Sequence, residues 1–182
     1  MKSIGIDIGT TSICLVIYEG ESGKIEDSLS VRNAFLPETF CQDPDHIADE
    51  VIRLLQELAK RNEPIGAIGI SAQMHGILYT DAAGRAVTPY YTWKDESGKL
   101  PFEGATFAEF LSGKTGYRIY SGYGSATHFY LGKTGQIPER AVFLCNIGDY
   151  LAMRLCGKTV PRQDVSIAAS LGGLLPDKSG YD

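Results

Sequence analysis

Ile4-Gly5-Ile6-Asp7-Ile8-Gly9-Thr10-Thr11-Ser12 is the stretch that decides the fold. An apolar run enters a carboxylate and then turns on a glycine among three consecutive hydroxyl residues. Gly9 lets the backbone approach a ligand closely, and amides exposed beside Thr and Ser hydroxyls can hold phosphate oxygens. Asp7, at the end of the run, offers a hard oxygen to a divalent metal. The Gly-Lys-Ser/Thr ending of a P-loop is absent. A plain hairpin, with Thr and Ser as ordinary turn residues, explains the same letters. Both readings stay open on this stretch alone.

Working outward, Ile13-Cys14-Leu15-Val16-Ile17-Tyr18 is a continuous apolar run suited to a buried strand. Glu19 to Lys24 holds two glycines and reads as a turn, and Ile25 to Val31 can pair back as a third strand. Three antiparallel strands with a DxGTT turn between the first two resemble the opening of the actin-like ATPase and sugar-kinase superfamily.

The next signals are structural. Asp43-Pro44-Asp45 combines an N-cap, proline at the first helical position and an acid where it suits the helix dipole. Ile47, Val51, Leu54, Leu55 and Leu58 then recur at helical spacing, and the helix is expected to stop near Asn62, before Pro64. His46 falls in the first turn, as a solvated residue. Ala67 to Ser71 is another apolar strand, so the order is βββαβ. After it, Gln73-Met74-His75-Gly76 breaks the chain before the strand Ile77-Leu78-Tyr79, at the carboxyl end of a strand, where ligands of α/β proteins bind. There His75 can hydrogen-bond a sugar hydroxyl and Met74 can pack on sugar carbons, although a lone histidine is more often structural. Asp81 to Gly84 is a hairpin turn. Trp93, beside Tyr90 and Tyr91, is either core or an aromatic wall of the kind that stacks on carbohydrate.

The 182 residues suit one domain with a sizeable core, and 43% hydrophobic with 21% charged residues is the balance of a globular protein. A net charge of −5 without a Lys/Arg cluster argues against nucleic acid as the partner. No apolar run reaches membrane-spanning length and no signal-peptide core opens the chain, so a cytoplasmic location and no membrane are expected. The cysteines, Cys14, Cys41, Cys145 and Cys156, lack CxxC spacing and read as reduced thiols.

Taken in order, GIDIGTTS, ISAQMHG, the D..G hairpin and Thr92-Trp93-Lys94-Asp95 resemble the FGGY family of carbohydrate kinases. The QMHG form is similar to its ketose-kinase branch, the xylulokinases and sedoheptulokinases. TWKD, the GYGSAT at Gly122 to Thr127 and the DYLAMRLCG at Asp149 to Gly157 resemble the sedoheptulokinases more closely. Gln163 to Ser170 resembles the SDxxxAAS of the family. The resemblance covers nearly the whole chain and implies the N-terminal, sugar-binding domain of such a kinase. The implied fold is α/β and ribonuclease H-like, of the actin-like ATPase superfamily, a mixed sheet with flanking helices.

The resemblance also implies roles. Asp7 would stand near Mg2+ and the transferring phosphate, and Gly9, Thr10, Thr11 and Ser12 would form the first phosphate turn for ATP. Gln73, Met74, His75 and Trp93 would meet the sugar. Asp95 would fix its loop or touch the sugar, and Tyr123 would stand at the cleft edge, with packing as its alternative. Asp149 is expected as a cap or salt-bridge residue, Asp164 as either structural or functional, and Lys133 and Lys158 as solvated charges. Gly116 to Gly124 reads as a loop over the cleft. Further helices are expected near Ala105 to Thr115, Thr127 to Leu131 and Asn146 to Leu155, with a strand at Ala141 to Cys145.

Two departures stand against the pattern. Cys14 occupies a position where family members carry Lys or Arg, and a thiol cannot offset phosphate charge. The general-base Asp and the adenosine motifs of the family would lie beyond Asp182, in and before a second, nucleotide-binding domain, so a truncated and inactive half is expected. Its exposed inter-domain face could promote a homo-oligomer. The remaining readings are a kinase of another ketose or polyol, and a relative that binds a sugar or a protein partner without turnover.

Overall fold

The computed structural model describes residues 1–175, 177, 180 and 181. Three antiparallel strands open the chain, β1 (Lys2–Ile8), β2 (Ser12–Glu19) and β3 (Lys24–Arg32). A two-residue strand that the periodicity did not announce, β4 (Cys41–Gln42), precedes helix α1 (Pro44–Asn62). The Asp43 side chain accepts the amides of Asp45 and His46, so the helix starts at the expected cap. Strand β5 (Ile65–Ala72) then returns parallel to β1, and the main sheet has the order β3-β2-β1-β5.

Burial follows from strand alternation. Ile4, Ile6 and Ile8 of β1 pair with Ile17, Leu15 and Ile13 of β2, and all six are buried. Val51, Leu54 and Leu58 of α1 join them in one cluster, together with Ile147, Tyr150, Leu151 and Met153 of a later helix. The opposite face carries the alternate residues: Gly5 pairs with Val16 and with Gly69, and Asp7 with Cys14 and with Ser71. They line a shallow open groove of about 420 Å3.

The rest of the chain builds around the carboxyl ends of β1 and β5. Strand β6 (Leu78–Thr80) and β7 (Tyr90–Tyr91) flank the Asp81–Gly84 turn, in which the Gly84 amide donates to Asp81 O at 3.0 Å. Strands β8 (Pro101–Phe102) and β9 (Ala105–Thr106) form a small hairpin, so helix α2 (Phe107–Thr115) starts two residues later than expected. Thr106 and Glu109 form a reciprocal capping box that sets that start. Helix α3 (Gly124–Lys133) is longer than the Thr127–Leu131 reading, because it begins at the end of the Gly116–Gly124 loop. Strand β10 (Phe143–Cys145), helix α4 (Ile147–Leu155) and the unforeseen helix α5 (Val165–Ser170) complete the described fold.

Two pairings were not legible in the sequence: β10 lies antiparallel to β6, and β4 antiparallel to β7. Asp149 is a cap and makes no ion pair among the described residues. It accepts the amides of Asn146 and Asp164, and its burial pushes its pKa up to about 6. Asp164 in turn caps α5, and Lys133 and Lys158 are exposed. The four cysteines are free thiols. Among the described residues, no helix is long and apolar enough to cross a membrane.

Candidate functional site

The turn Gly9–Thr11 follows β1 directly, and Gln73 follows β5, whose neighbour is β1; the Gln73 amide donates to Ile8 O at 2.8 Å. The parallel β1–β5 pair therefore delivers the hydroxyl-rich turn and the Gln73–Gly76 loop to the same edge. Two polar residues absent from the sequence reading hold the turn. Asn33 Nδ2 donates to Gly9 O at 2.8 Å, and Gln42 Nε2 donates to Thr10 O at 2.9 Å. The Gly9 amide is engaged by Ser12 O at 2.9 Å, whereas the amides of Thr10 and Thr11 have no partner among the described residues. Of the expected phosphate donors, then, the Thr10 and Thr11 amides and the exposed Thr11 and Ser12 are available, and the Gly9 amide is not.

The shape and donors beside the turn set what can bind there. A Cβ at Gly9 would stand 3.1 Å from Ser12 O, 3.8 Å from Asp7 Oδ2 and 3.9 Å from Ser12 Oγ. The missing side chain thus leaves a niche bounded by one carboxylate, one hydroxyl and one carbonyl. Asp7 is exposed. Among the described residues, no group of three or more His, Cys, Asp or Glu could hold a metal by itself. A lone carboxylate beside free amides fits Mg2+ arriving with a nucleotide phosphate, because Mg2+ keeps most of its waters and takes few protein ligands. Cys14 is the cross-strand neighbour of Asp7 on the same open face, so no cation stands beside that carboxylate from β2.

The opposite wall comes from the Gln73–Gly76 loop and Trp93. Asn146, fully buried at the start of α4, fastens that loop. Its two Nδ2 protons are shared among Gln73 O at 3.1 Å, Gly76 O at 3.0 Å and Tyr90 Oη at 3.1 Å, while its Oδ1 accepts the Gly148 amide. A Cβ at Gly76 would lie 2.3 Å from Tyr90 Oη, so only glycine fits there. Within this loop His75 takes a left-handed φ of 70°. Its amide donates to Ser170 Oγ at 3.2 Å, and its Nδ1 contacts Ser170 O. A carbonyl oxygen only accepts, so Nδ1 donates to it, and Nε2 is the ring nitrogen left to meet a hydroxyl group. The ring stacks on Tyr123 with centroids 4.4 Å apart and planes 8° apart. Met74 and Trp93 are 54% and 46% exposed, which marks them as apolar surfaces open to a ligand.

Gln73 departs from the expected sugar contact. It is buried, and its amide is engaged on both sides: Oε1 accepts from Thr10 Oγ1 at 3.2 Å, and Nε2 donates to Gln42 Oε1 at 2.7 Å. Trp93 Nε1 completes the chain by donating to Thr10 Oγ1 at 2.9 Å. The Thr10 hydroxyl is accordingly engaged by both Gln73 and Trp93. Asp95 fixes its loop: Oδ1 accepts from the Ser97 amide and hydroxyl and from Thr127 Oγ1 at 3.2 Å, while Ser121 Oγ donates to Asp95 O. Tyr123 also meets Tyr120 edge-on, with ring centroids 5.6 Å apart. Larger cavities of about 690 and 670 Å3 lie elsewhere, one against α2 and α3 and one beside Arg85, Arg140 and Arg154. The candidate site is an open edge, not an enclosed cavity.

Residues 3–172 match the model of the FGGY family of carbohydrate kinases, N-terminal domain. The sedoheptulokinase of Mus musculus is 28% identical over 93% of this chain and 41% of its own length. Solved structures of a xylulose kinase and a gluconate kinase from Lactobacillus acidophilus superpose with TM-scores of 0.82 and 0.83, each at 27% identity. Both cover 100% of this chain, which spans 38% of each of theirs, so the chain has about two fifths of the length of these relatives. With the match extending through the turn, the Gln73–Gly76 loop and Trp93, the chain belongs to the FGGY family of carbohydrate kinases.

Proposed function

We propose that this chain is the sugar-binding half of an ATP-dependent kinase that phosphorylates a ketose at a terminal hydroxyl. One observation carries the reading: Trp93 and Gln73, the residue that opens the loop carrying the exposed Met74 and His75, are both hydrogen-bonded to Thr10 of the Gly9–Thr11 turn. A hydroxyl acceptor and a phosphate turn so close together suit transfer to an alcohol, which depends chiefly on positioning and charge stabilisation. His75 would orient the sugar hydroxyls, Met74 and Trp93 would cover its carbons, and Asp7 with the Thr10 and Thr11 amides would receive Mg2+ and phosphate oxygens. ATP, when bound, supplies the phosphoryl group. The β3-β2-β1-β5 order supports a ribonuclease H-like assignment within the actin-like superfamily. Sedoheptulose is the first candidate substrate, from the sedoheptulokinase-like motifs, ahead of xylulose and gluconate.

The partner for turnover would be a C-terminal nucleotide-binding domain, and the general base would come from outside these residues, so the chain by itself binds without turning over. A second reading, a sugar-binding relative without kinase activity, is favoured by Cys14 beside Asp7. Trp93 is the single tryptophan, so its emission can be titrated with sedoheptulose, xylulose, gluconate and glycerol, with and without Mg-ATP. The kinase reading expects a saturable change with one ketose that His75→Ala removes, and tighter sugar binding in the presence of Mg-ATP. A sugar response indifferent to nucleotide would favour the second reading, and no response to any sugar would refute both.

A further inference from the structure

Gln42 belongs to none of the motifs above, yet it is fully buried at the end of β4, at the centre of the site's hydrogen-bond network. Three hydrogen bonds close a ring: Gln42 Nε2 to Thr10 O at 2.9 Å, Gln73 Nε2 to Gln42 Oε1 at 2.7 Å, and Thr10 Oγ1 to Gln73 Oε1 at 3.2 Å. Trp93 Nε1 then donates into the ring at Thr10 Oγ1, at 2.9 Å. The direction of every bond follows from its ends. A backbone carbonyl only accepts, which turns the Gln42 amide so that Nε2 faces Thr10 O and Oε1 faces Gln73. That orients Gln73, which takes the Thr10 hydroxyl proton and leaves the Thr10 lone pair for the indole, a group that only donates. Reversing either amide would set donor against donor or acceptor against acceptor. One two-stranded sheet joins both ends of the relay, because β4 pairs with β7, just before Trp93, and Thr92 Oγ1 donates to Phe40 O at 2.6 Å.

We infer that Gln42 is a positioning residue that locks the phosphate turn to the aromatic wall, so that Thr10 and Trp93 move as one unit. The consequence for a ligand rests on the functional reading above; the coupling itself does not. With this ring intact, the distance between the wall and the turn is set before any ligand arrives, which lowers the ordering cost of binding. Buried networks of this kind are stiff only while every member is satisfied.

Trp93 reports the ring directly. In the ligand-free protein, Gln42→Leu, which keeps the volume and removes both bonds, should shift Trp93 emission to longer wavelength and raise its quenching by acrylamide. Ketose affinity measured by the same emission should fall about tenfold, the effect of losing one buried hydrogen-bond partner. Gln42→Glu tests polarity: its carboxylate accepts from Gln73 but cannot donate to Thr10 O, and on acidification the protonated acid can. Its emission should therefore be shifted at neutral pH and return toward wild type as pH falls, against a wild-type control over the same range. If Gln42→Leu fails to fold, the Gln42→Glu titration decides. Unchanged emission and quenching in Gln42→Leu, or a Gln42→Glu shift that does not reverse with acid, would overturn the inference. A shifted emission in a protein whose wild type binds no sugar would keep the coupling and sink the functional reading.

Discussion

The two faces of the main sheet are made by the same strands and have opposite fates. On one, Ile4, Ile6, Ile8, Ile13, Leu15 and Ile17 lie under α1 and α4 at no more than 2% exposure. On the other, Gly5, Asp7, Cys14, Val16, Gly69 and Ser71 line an open groove. The covered face holds large branched side chains that remove apolar area from water. The open face holds small or polar ones, among them the carboxylate closest to the candidate phosphate turn. Stability and chemistry are thus separated by one residue of register, since neighbours along a strand point to opposite sides.

Mutations at adjacent positions of β2 break this comparison most directly. Leu15→Ala should destabilise the fold by about 3 kcal/mol in chemical denaturation, from lost transfer energy and the cavity left behind. Its neighbour Val16→Ala, on the open face, should cost less than about 1 kcal/mol, because its methyls are not enclosed; equal losses would mean that both faces are covered. Between these lies Asn146→Ala. It orphans the carbonyl of Gly76 and the amide of Gly148 and leaves Gln73 O with Tyr90 Oη alone, and should cost about 2 kcal/mol while weakening the Trp93 response to ketose.

Asp149 sharpens the comparison from below the core. Its pKa stands at about 6 against an ordinary 3.8 because burial disfavours its charge. The folded state therefore holds the proton more tightly, and this contribution is full below about pH 4 and lost as pH rises through about 6. Asp149→Asn should flatten the stability profile over that window; an unaltered slope would assign the titration to another group. The smallest effect is expected at Cys14. Cys14→Lys should leave the unfolding midpoint nearly unchanged and strengthen binding of Mg-ATP, measured by calorimetry, because it sets a cation beside Asp7 on the open face. Unaltered nucleotide affinity would sink the argument that a cation at this position offsets phosphate charge.

Much of the framework was legible from local signals. The apolar runs of β1 and β2, the Asp43-Pro44 cap and the helical spacing from Ile47 to Leu58 each follow from interactions within a few residues and appear where expected, although β2, read as a continuous buried run, buries only its alternate residues. The ordered motifs from Asp7 to Ser170 likewise carried the family. Gln73 shows the limit: its place in a QMHG motif suggested a ligand contact, and the structure turns its amide inward to Thr10 and Gln42.

Determined by the sequence alone, then, were the strands and helices whose apolar period matches their own geometry, and the edge at which the hydroxyl turn and the His75 loop emerge. The tertiary structure alone decided which polar groups remain available there. It placed Trp93 on Thr10 across 83 positions of chain, Asn146 beneath the Gln73–Gly76 loop, and Gln42 at the hub of the ring. Hydrogen-bond polarity between distant segments leaves no period in the chain, because each donor is defined only by the acceptor the fold brings to it.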